Sequence, residues 1–152
     1  MKRIFILTCL LLVLLAGTAI ARDTNGIGFY GNLLGNGTGA NGGVGLTLRS
    51  GSFPVIGLEW NSPSKFSGSL DVWVVNPQTE DLLSYYIGLG GYAATTSANS
   101  STTFNFGGRV PFGLQLFPVD QLEIFIEASP MIIFVPTIDW AVSVRLGFRI
   151  LF

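Results

Sequence analysis

Histidine is absent from this chain, cysteine occurs once, and only 11% of the residues are charged. Histidine is the usual acid/base side chain near neutral pH and a common metal ligand, so its absence removes the simplest catalytic and metal sites. Carboxylates alone would have to supply such chemistry, and arginines compete for them. We therefore expect no enzyme activity, no cofactor and no metal.

Clusters of positive charge are also missing. Residues 22–152 carry six basic side chains, the eight of the full chain less Lys2 and Arg3, against nine acidic ones. Proteins that bind nucleic acid usually show a basic patch, so we expect no nucleic-acid partner. A soluble domain contains about 25% charged residues, and the lower fraction here favours a membrane protein.

Only one long apolar run occurs, and it lies at the N-terminus. Basic Lys2 and Arg3 precede the apolar segment 4–15, and the small-residue segment 17–21 ends on an Ala-x-Ala pattern. These features predict a cleaved signal peptide over 1–21 and a single domain over 22–152, with a permanent membrane helix as the alternative. Cys9 would leave with the signal peptide, so no disulfide is expected.

The last thirteen residues alternate strictly between large apolar and smaller or polar side chains. A period of two predicts a strand with one apolar face, made here by Trp140, Val142, Val144, Leu146, Phe148, Ile150 and Phe152. High apolar content (49%) without a second helix-length run is what a small transmembrane barrel requires.

The same alternation predicts eight strands. They cover about 25–34, 43–50, 54–61, 69–76, 82–93, 103–117, 122–135 and 139–152. An even number returns both termini to the periplasmic side. The predicted fold is therefore all-β, an eight-stranded antiparallel transmembrane up-and-down β-barrel preceded by a cleaved signal peptide.

Two prolines fall inside predicted strands. Proline cannot donate to the strand ladder, so a bulge or a pairing break is expected at Pro111 and Pro130. An alternative ends strand seven near Ser129 and places a hydrophobic outer loop after it. Among the outer connections, only the one over 62–68 carries a charge, Lys65.

Charged side chains in the strands all fall on the predicted inner face: Arg49, Glu59, Asp71, Arg109, Glu123, Glu127, Arg145 and Arg149. We expect two layers. Arg49, Arg145, Arg149, Glu123 and Glu127 would lie near the periplasm, and Arg109, Glu59 and Asp71 higher, with Glu59 opposite Asp71. An eight-stranded barrel is just wide enough for side chains to fill it, so these charges predict a structural salt-bridge network. A polar lining for a narrow conduit is the alternative.

Aromatic side chains are expected on both faces. Trp60, Phe104 and Trp140 would mark one membrane interface and Phe53, Tyr85, Phe148 and Phe152 the other. Trp73, Tyr30, Tyr86 and Tyr92 would pack the lumen.

Segments 109–130 and 147–152 resemble small eight-stranded bacterial outer-membrane barrels of the OmpA, OmpX and OmpW type, and look closest to small spirochaete-like barrel proteins. The resemblance implies an outer-membrane location, contact with outer-membrane lipid and no enzymatic activity. It also implies that Phe152, with Ile150 and Phe148, forms a signal for the outer-membrane assembly machinery. The expected function is a structural or surface-interaction barrel without catalysis, with a narrow channel for ions or small solutes as the alternative. The surface ligand stays open.

Overall fold

The computed structural model describes residues 25–36, 39–61, 65–77, 82–98 and 101–152. The predicted signal peptide over 1–21 lies outside these residues, so it stays a prediction. Within the described ranges, no helix has the length and hydropathy needed to cross a membrane.

Antiparallel strands form one closed barrel. Strands from β1 to β5 each pair with the next in sequence, β8 pairs with β9, and β9 pairs with β1, so the sheet closes on itself. β6 and β7 are two parts of a single barrel strand, since both pair with β5 on one side and β8 on the other. The predicted eight-stranded fold is therefore confirmed. The strands are β1 Asn25–Asn36, β2 Gly39–Ser50, β3 Val55–Asn61, β4 Lys65–Val75, β5 Leu83–Ala98, β6 Ser101–Arg109, β7 Phe112–Val119, β8 Leu122–Val135 and β9 Asp139–Leu151.

Both prolines lie at the interruption between β6 and β7. β8 pairs with β7 as far as Ala128 and with β6 from Met131 onward. Pro111 and Pro130 occupy the gap, which confirms the expected pairing break. β8 continues through Pro130 to Val135, so the alternative that ended this strand near Ser129 is wrong.

Several strands run further than predicted at one end of the barrel. We call the end that contains Asn25 and Leu151 the terminal end, and the end that contains Asn36 and Asn61 the distal end. β4 begins at Lys65, opposite Asn61, because only three residues separate β3 from β4. Lys65 therefore belongs to a strand, and its assignment to the outer connection over 62–68 was wrong.

Apolar and polar side chains are distributed in the reverse of the pattern of a water-soluble protein. The outer wall exposes large apolar side chains along every barrel strand, for example Leu46, Leu58, Phe106 and Leu146. Buried inner positions carry polar and charged groups together with aromatic rings. An outer wall of this kind suits apolar surroundings. Strands of transmembrane barrels show the same alternation, with apolar side chains facing out and polar side chains facing in.

Aromatic side chains lie on the faces that the sequence predicts. Trp60, Phe104 and Trp140 are exposed near the distal end, and Phe53, Tyr85, Phe148 and Phe152 are exposed towards the terminal end. Trp73, Tyr30, Tyr86 and Tyr92 are buried inside. The outward rings therefore stand in two belts, the arrangement that interfacial girdles require.

Candidate functional site: the barrel interior

Three layers of side chains fill the interior from one end to the other. The terminal charge cluster contains Arg49, Glu123 and Arg149. The central charge cluster contains Glu59, Asp71, Arg109, Glu127 and Arg145. The distal apolar layer contains Leu34, Tyr92, Ala94, Met131 and Ala141. All eight charged residues singled out in the sequence thus lie inside, each at most 5% exposed.

Glu123 is the centre of the terminal charge cluster and is completely buried. Its carboxylate accepts from Arg49 Nη1 at 3.0 Å, from Gln115 Nε2 at 2.8 Å and from Arg149 Nη1. Arg49 Nε also donates to Gly51 O at 2.8 Å. Two guanidinium groups therefore share one carboxylate, which gives this cluster a formal net charge of +1.

Trp73 lies beside both guanidinium groups of this cluster. Arg49 lies 4.5 Å and Arg149 5.4 Å from the centre of its ring. The Tyr86 ring also stacks on Trp73, with the two ring centroids 4.0 Å apart. Cation–π contacts of this kind contribute about 2 kcal/mol when they are desolvated, so Trp73 helps to hold the excess positive charge.

Arg145 is the main link of the central charge cluster. Its guanidinium donates to Glu59 Oε1 and, at 3.2 Å, to Glu127 Oε1. Ser69 Oγ accepts a further hydrogen bond from it at 3.2 Å. Arg145 lies on β9, Glu127 on the adjacent strand β8, and Glu59 on β3. The Arg145 side chain therefore joins β9 not only to its neighbour but also to β3 across the interior.

Arg109 completes this cluster from β6, which is separated from β9 by β8. Its Nη2 donates to Glu127 Oε1 and, at 2.6 Å, to Ser129 Oγ. Its Nε lies 3.4 Å from Asp71 Oδ1, a charge contact without hydrogen-bond geometry. Two guanidinium groups thus face three carboxylates, which gives the central cluster a formal net charge of −1.

Tyrosines supply further donors to the same carboxylates. Tyr86 Oη donates to Glu127 Oε2 at 2.6 Å, and Tyr30 Oη donates to Glu59 Oε1 at 3.1 Å. Glycines make room for both rings: a Cβ at Gly113 would lie 2.1 Å from Tyr86 Cζ, and one at Gly45 would lie 2.5 Å from Tyr30 Cζ. Both tyrosines were predicted in the lumen from strand alternation, and the inward-facing glycines were the signal in the sequence for their partners.

The predicted layering of the charges was wrong in two respects. Arg145 and Glu127 belong with Glu59 in the central cluster and not with the terminal one. Glu59 faces Ser67 and Asp71 faces Val55, so the two carboxylates are not opposite each other. The cause is the short connection between β3 and β4, which shifts the register of the whole hairpin.

The distal apolar layer closes the interior beyond the charges. Leu34, Ala94, Met131 and Ala141 pack around Tyr92, and all five are at most 7% exposed. Lys65 lies over the Tyr92 ring, with Nζ 5.5 Å from its centre. Among the described residues, no carboxylate forms an ion pair with Lys65. The Lys65 ammonium group therefore lies next to the distal apolar layer.

The chemistry of this interior is charge neutralisation. Glu59, Glu123 and Glu127 each accept from at least one guanidinium and from neutral donors, so they are engaged as acceptors. In the described part of the chain, no group of three or more metal-binding side chains stands together. The arrangement couples opposite walls of the barrel to one another.

Comparison with known proteins shows a similarity of fold but none of sequence family. No family model and no curated protein sequence matches the chain. Solved structures that are similar to it include two small barrels. Neisserial surface protein A is 12% identical, with a TM-score of 0.55 over 86% of this chain and 97% of that one. The N-terminal β-barrel domain of Pseudomonas aeruginosa OprF is 12% identical, with a TM-score of 0.56 over 82% and 97%. Both support a small outer-membrane type of barrel, while the expected likeness to spirochaete proteins is not confirmed.

Proposed function

We propose that the protein is an integral outer-membrane barrel with a sealed interior, which serves a structural or surface-interaction role without catalysis. The observation that carries the proposal is the stack of two charge clusters and one apolar layer inside an apolar wall. The similar solved structures are themselves outer-membrane-type barrels, which supports the location.

The layers argue against free passage of solutes. Arg145 reaches Glu59 and Glu127, and Arg109 meets Glu127 from another strand, so guanidinium and carboxylate groups cross the lumen. An ion entering this region would have to displace one partner of a buried pair, at a cost of about 3–5 kcal/mol. The distal apolar layer adds a second barrier, because its side chains other than Tyr92 are apolar and cannot replace the water around an ion.

Protein refolded in detergent should be electrically silent in planar lipid bilayers. A matched gel experiment reports folding, since a closed barrel resists detergent and unboiled protein should migrate differently from boiled protein. Only the heat-modifiable fraction is recorded. Discrete conductance steps from that fraction would overturn the sealed barrel.

A narrow channel is the second candidate, and one observation favours it. Several buried polar atoms have no hydrogen-bond partner within the protein, among them Asp71 Oδ1, Arg109 Nη1, Asn32 Oδ1 and Ser143 Oγ. Buried polar groups usually bond to protein or to ordered water, so a file of water along these atoms would supply their partners. The same recordings decide between the two candidates.

The proposed location implies an orientation and partners. The terminal end would face the periplasm and the distal end the outside, because an even number of barrel strands returns both termini to one side. Residues 1–21 would direct export, and the exposed apolar wall would contact outer-membrane lipid. The proposed assembly partner is the outer-membrane assembly machinery, which would bind β9 through Phe152, Ile150 and Phe148.

The variant Phe152→Ala should lower the amount of barrel in the outer membrane while leaving refolding in detergent unchanged. Phe152 is 77% exposed, so its ring contributes little to packing, whereas its backbone N–H donates to Asn25 O at 2.9 Å and stays in the variant. The measurement is the folded fraction in isolated outer membranes. Phe104→Ala is the control, an equally apolar position on the outer wall near the distal end that is 60% exposed. Equal membrane levels for the two variants would contradict the assembly role.

A further inference from the structure

The outer wall has a groove beside the interruption between β6 and β7. Its volume is about 460 Å³, and apolar side chains on β5, β8 and β9 form its sides. Leu89, Ile132, Phe134 and Trp140 point outward there and are each 48–60% exposed. Pockets of roughly 300–1,000 Å³ are the size that accommodates small ligands.

The sequence explains why the wall is hollow at this place. Gly108 on β6 faces outward, so the wall carries no side chain at this position of the groove. Its cross-strand partner, Gly91 on β5, lies just outside the groove and adds no side chain that could cover it. The Gly108 Cα therefore lies at the floor of the groove, with Phe134 beside it. Pro130 borders the floor where the strand ladder changes partner.

We propose that this groove binds one hydrocarbon chain of a surrounding membrane lipid. The inference rests on the proposed membrane location, because the groove is continuous with the exposed apolar wall that would contact lipid. Its outward-facing side chains are all uncharged, so the complementary surface is hydrocarbon. Arg109 is also among the lining residues, but its side chain is buried in the central charge cluster and points away from an occupant in the groove.

A second copy of the chain is a less suitable occupant. The groove is concave, and the described side chains that face outward along its lining are uncharged, so they offer a second copy no polar partner. A flexible chain fills such a shape without disturbing the strand pairing on either side. The bound lipid would cover the wall at Gly108 and Pro130, where outward side chains are absent or small.

The variant Gly108→Leu tests the proposal by filling the groove. A Cβ at Gly108 would meet Phe134 Cε2 at 3.7 Å, which is ordinary contact, so the start of a side chain fits and its remainder occupies the ligand volume. Protein reconstituted with dipalmitoyl phosphatidylethanolamine is returned to detergent, and retained lipid is counted by native mass spectrometry. We expect one retained lipid per wild-type barrel and roughly tenfold lower occupancy in the variant, a change that corresponds to about 1.4 kcal/mol.

Gly31→Leu is the matched control. Gly31 also faces outward, and a Cβ there would meet nothing within 4 Å, so the same side chain is added to the wall away from the groove. Its lipid retention should equal that of the wild type. Gly108→Ala is a milder second variant in case Gly108→Leu does not fold, and it should retain an intermediate amount.

Two results would overturn the proposal: equal retention by Gly108→Leu and Gly31→Leu, or a native dimer that Gly108→Leu dissociates. Failure of the lipid site is separable from failure of the proposed function. A barrel that stays heat-modifiable and inserts into vesicles but retains no lipid contradicts the groove alone, whereas loss of insertion contradicts the membrane location.

Discussion

Replacing Arg145 with alanine should lower the free energy of unfolding by about 3–5 kcal/mol. The guanidinium binds both Glu59 and Glu127, and its removal leaves two buried carboxylates close together with fewer donors. The measurement is the urea midpoint in detergent, with conductance recorded on the same preparations. Unchanged stability combined with a new conductance would replace the structural interpretation by a gated passage.

A second substitution distinguishes loss of the Arg145–Glu59 ion pair from a general loss of packing around Arg145. Glu59→Gln removes the negative charge that Arg145 neutralises while keeping the shape of the side chain. In the double variant Arg145→Ala and Glu59→Gln, the loss of stability should be smaller than the sum of the single losses, because no carboxylate at position 59 is then left unpaired. Simple additivity would indicate that Arg145 acts mainly by packing.

Trp73→Ala should cost about 3–5 kcal/mol of stability, the range for deleting a large buried aromatic side chain. The ring is 3% exposed, stacks on Tyr86 at 4.0 Å and lies beneath Arg49 and Arg149. Its loss removes these contacts together and leaves the excess positive charge of the terminal cluster without an aromatic face. Urea unfolding in detergent measures the effect.

Trp60→Ala is the control for Trp73→Ala. It deletes the same side chain from the outer wall, where Trp60 is 69% exposed, and should change the detergent unfolding midpoint only slightly. Trp73→Phe should recover part of the loss, because it keeps an aromatic ring against Tyr86. Equal losses at positions 60 and 73 would show that the interior ring has no special role.

The sequence was sufficient for the fold because its alternation sets the phase of each strand. A lipid-facing arginine costs roughly 2–4 kcal/mol at the membrane midplane, so charges such as Arg109 and Glu127 could be assigned to the interior from the pattern alone. The two strand prolines likewise predicted the break, since an absent N–H group is a local property of Pro111 and Pro130.

Contacts across the interior could not be obtained in this way. They depend on register, and a connection of three residues in place of seven moved Glu59 away from Asp71. Arg145 has a long side chain whose partners lie on two other strands, so its place in the central cluster depends on geometry that no local pattern records. The groove could not be predicted for the same reason, because its residues on β5, β6, β8 and β9 become neighbours only through strand pairing.

The order of charges along the axis acts against ions of both signs. A cation arriving from the distal end first meets Lys65, which has its own sign and stands over Tyr92. An anion that passes Lys65 and the apolar layer reaches the central cluster, where three carboxylates outnumber two guanidinium groups. From the terminal end, the excess of guanidinium around Glu123 repels cations first. In the proposed sealed barrel, this alternation of excess charge along the axis opposes the passage of ions of either sign, so electrical insulation would depend on the order of the charges as well as on tight packing.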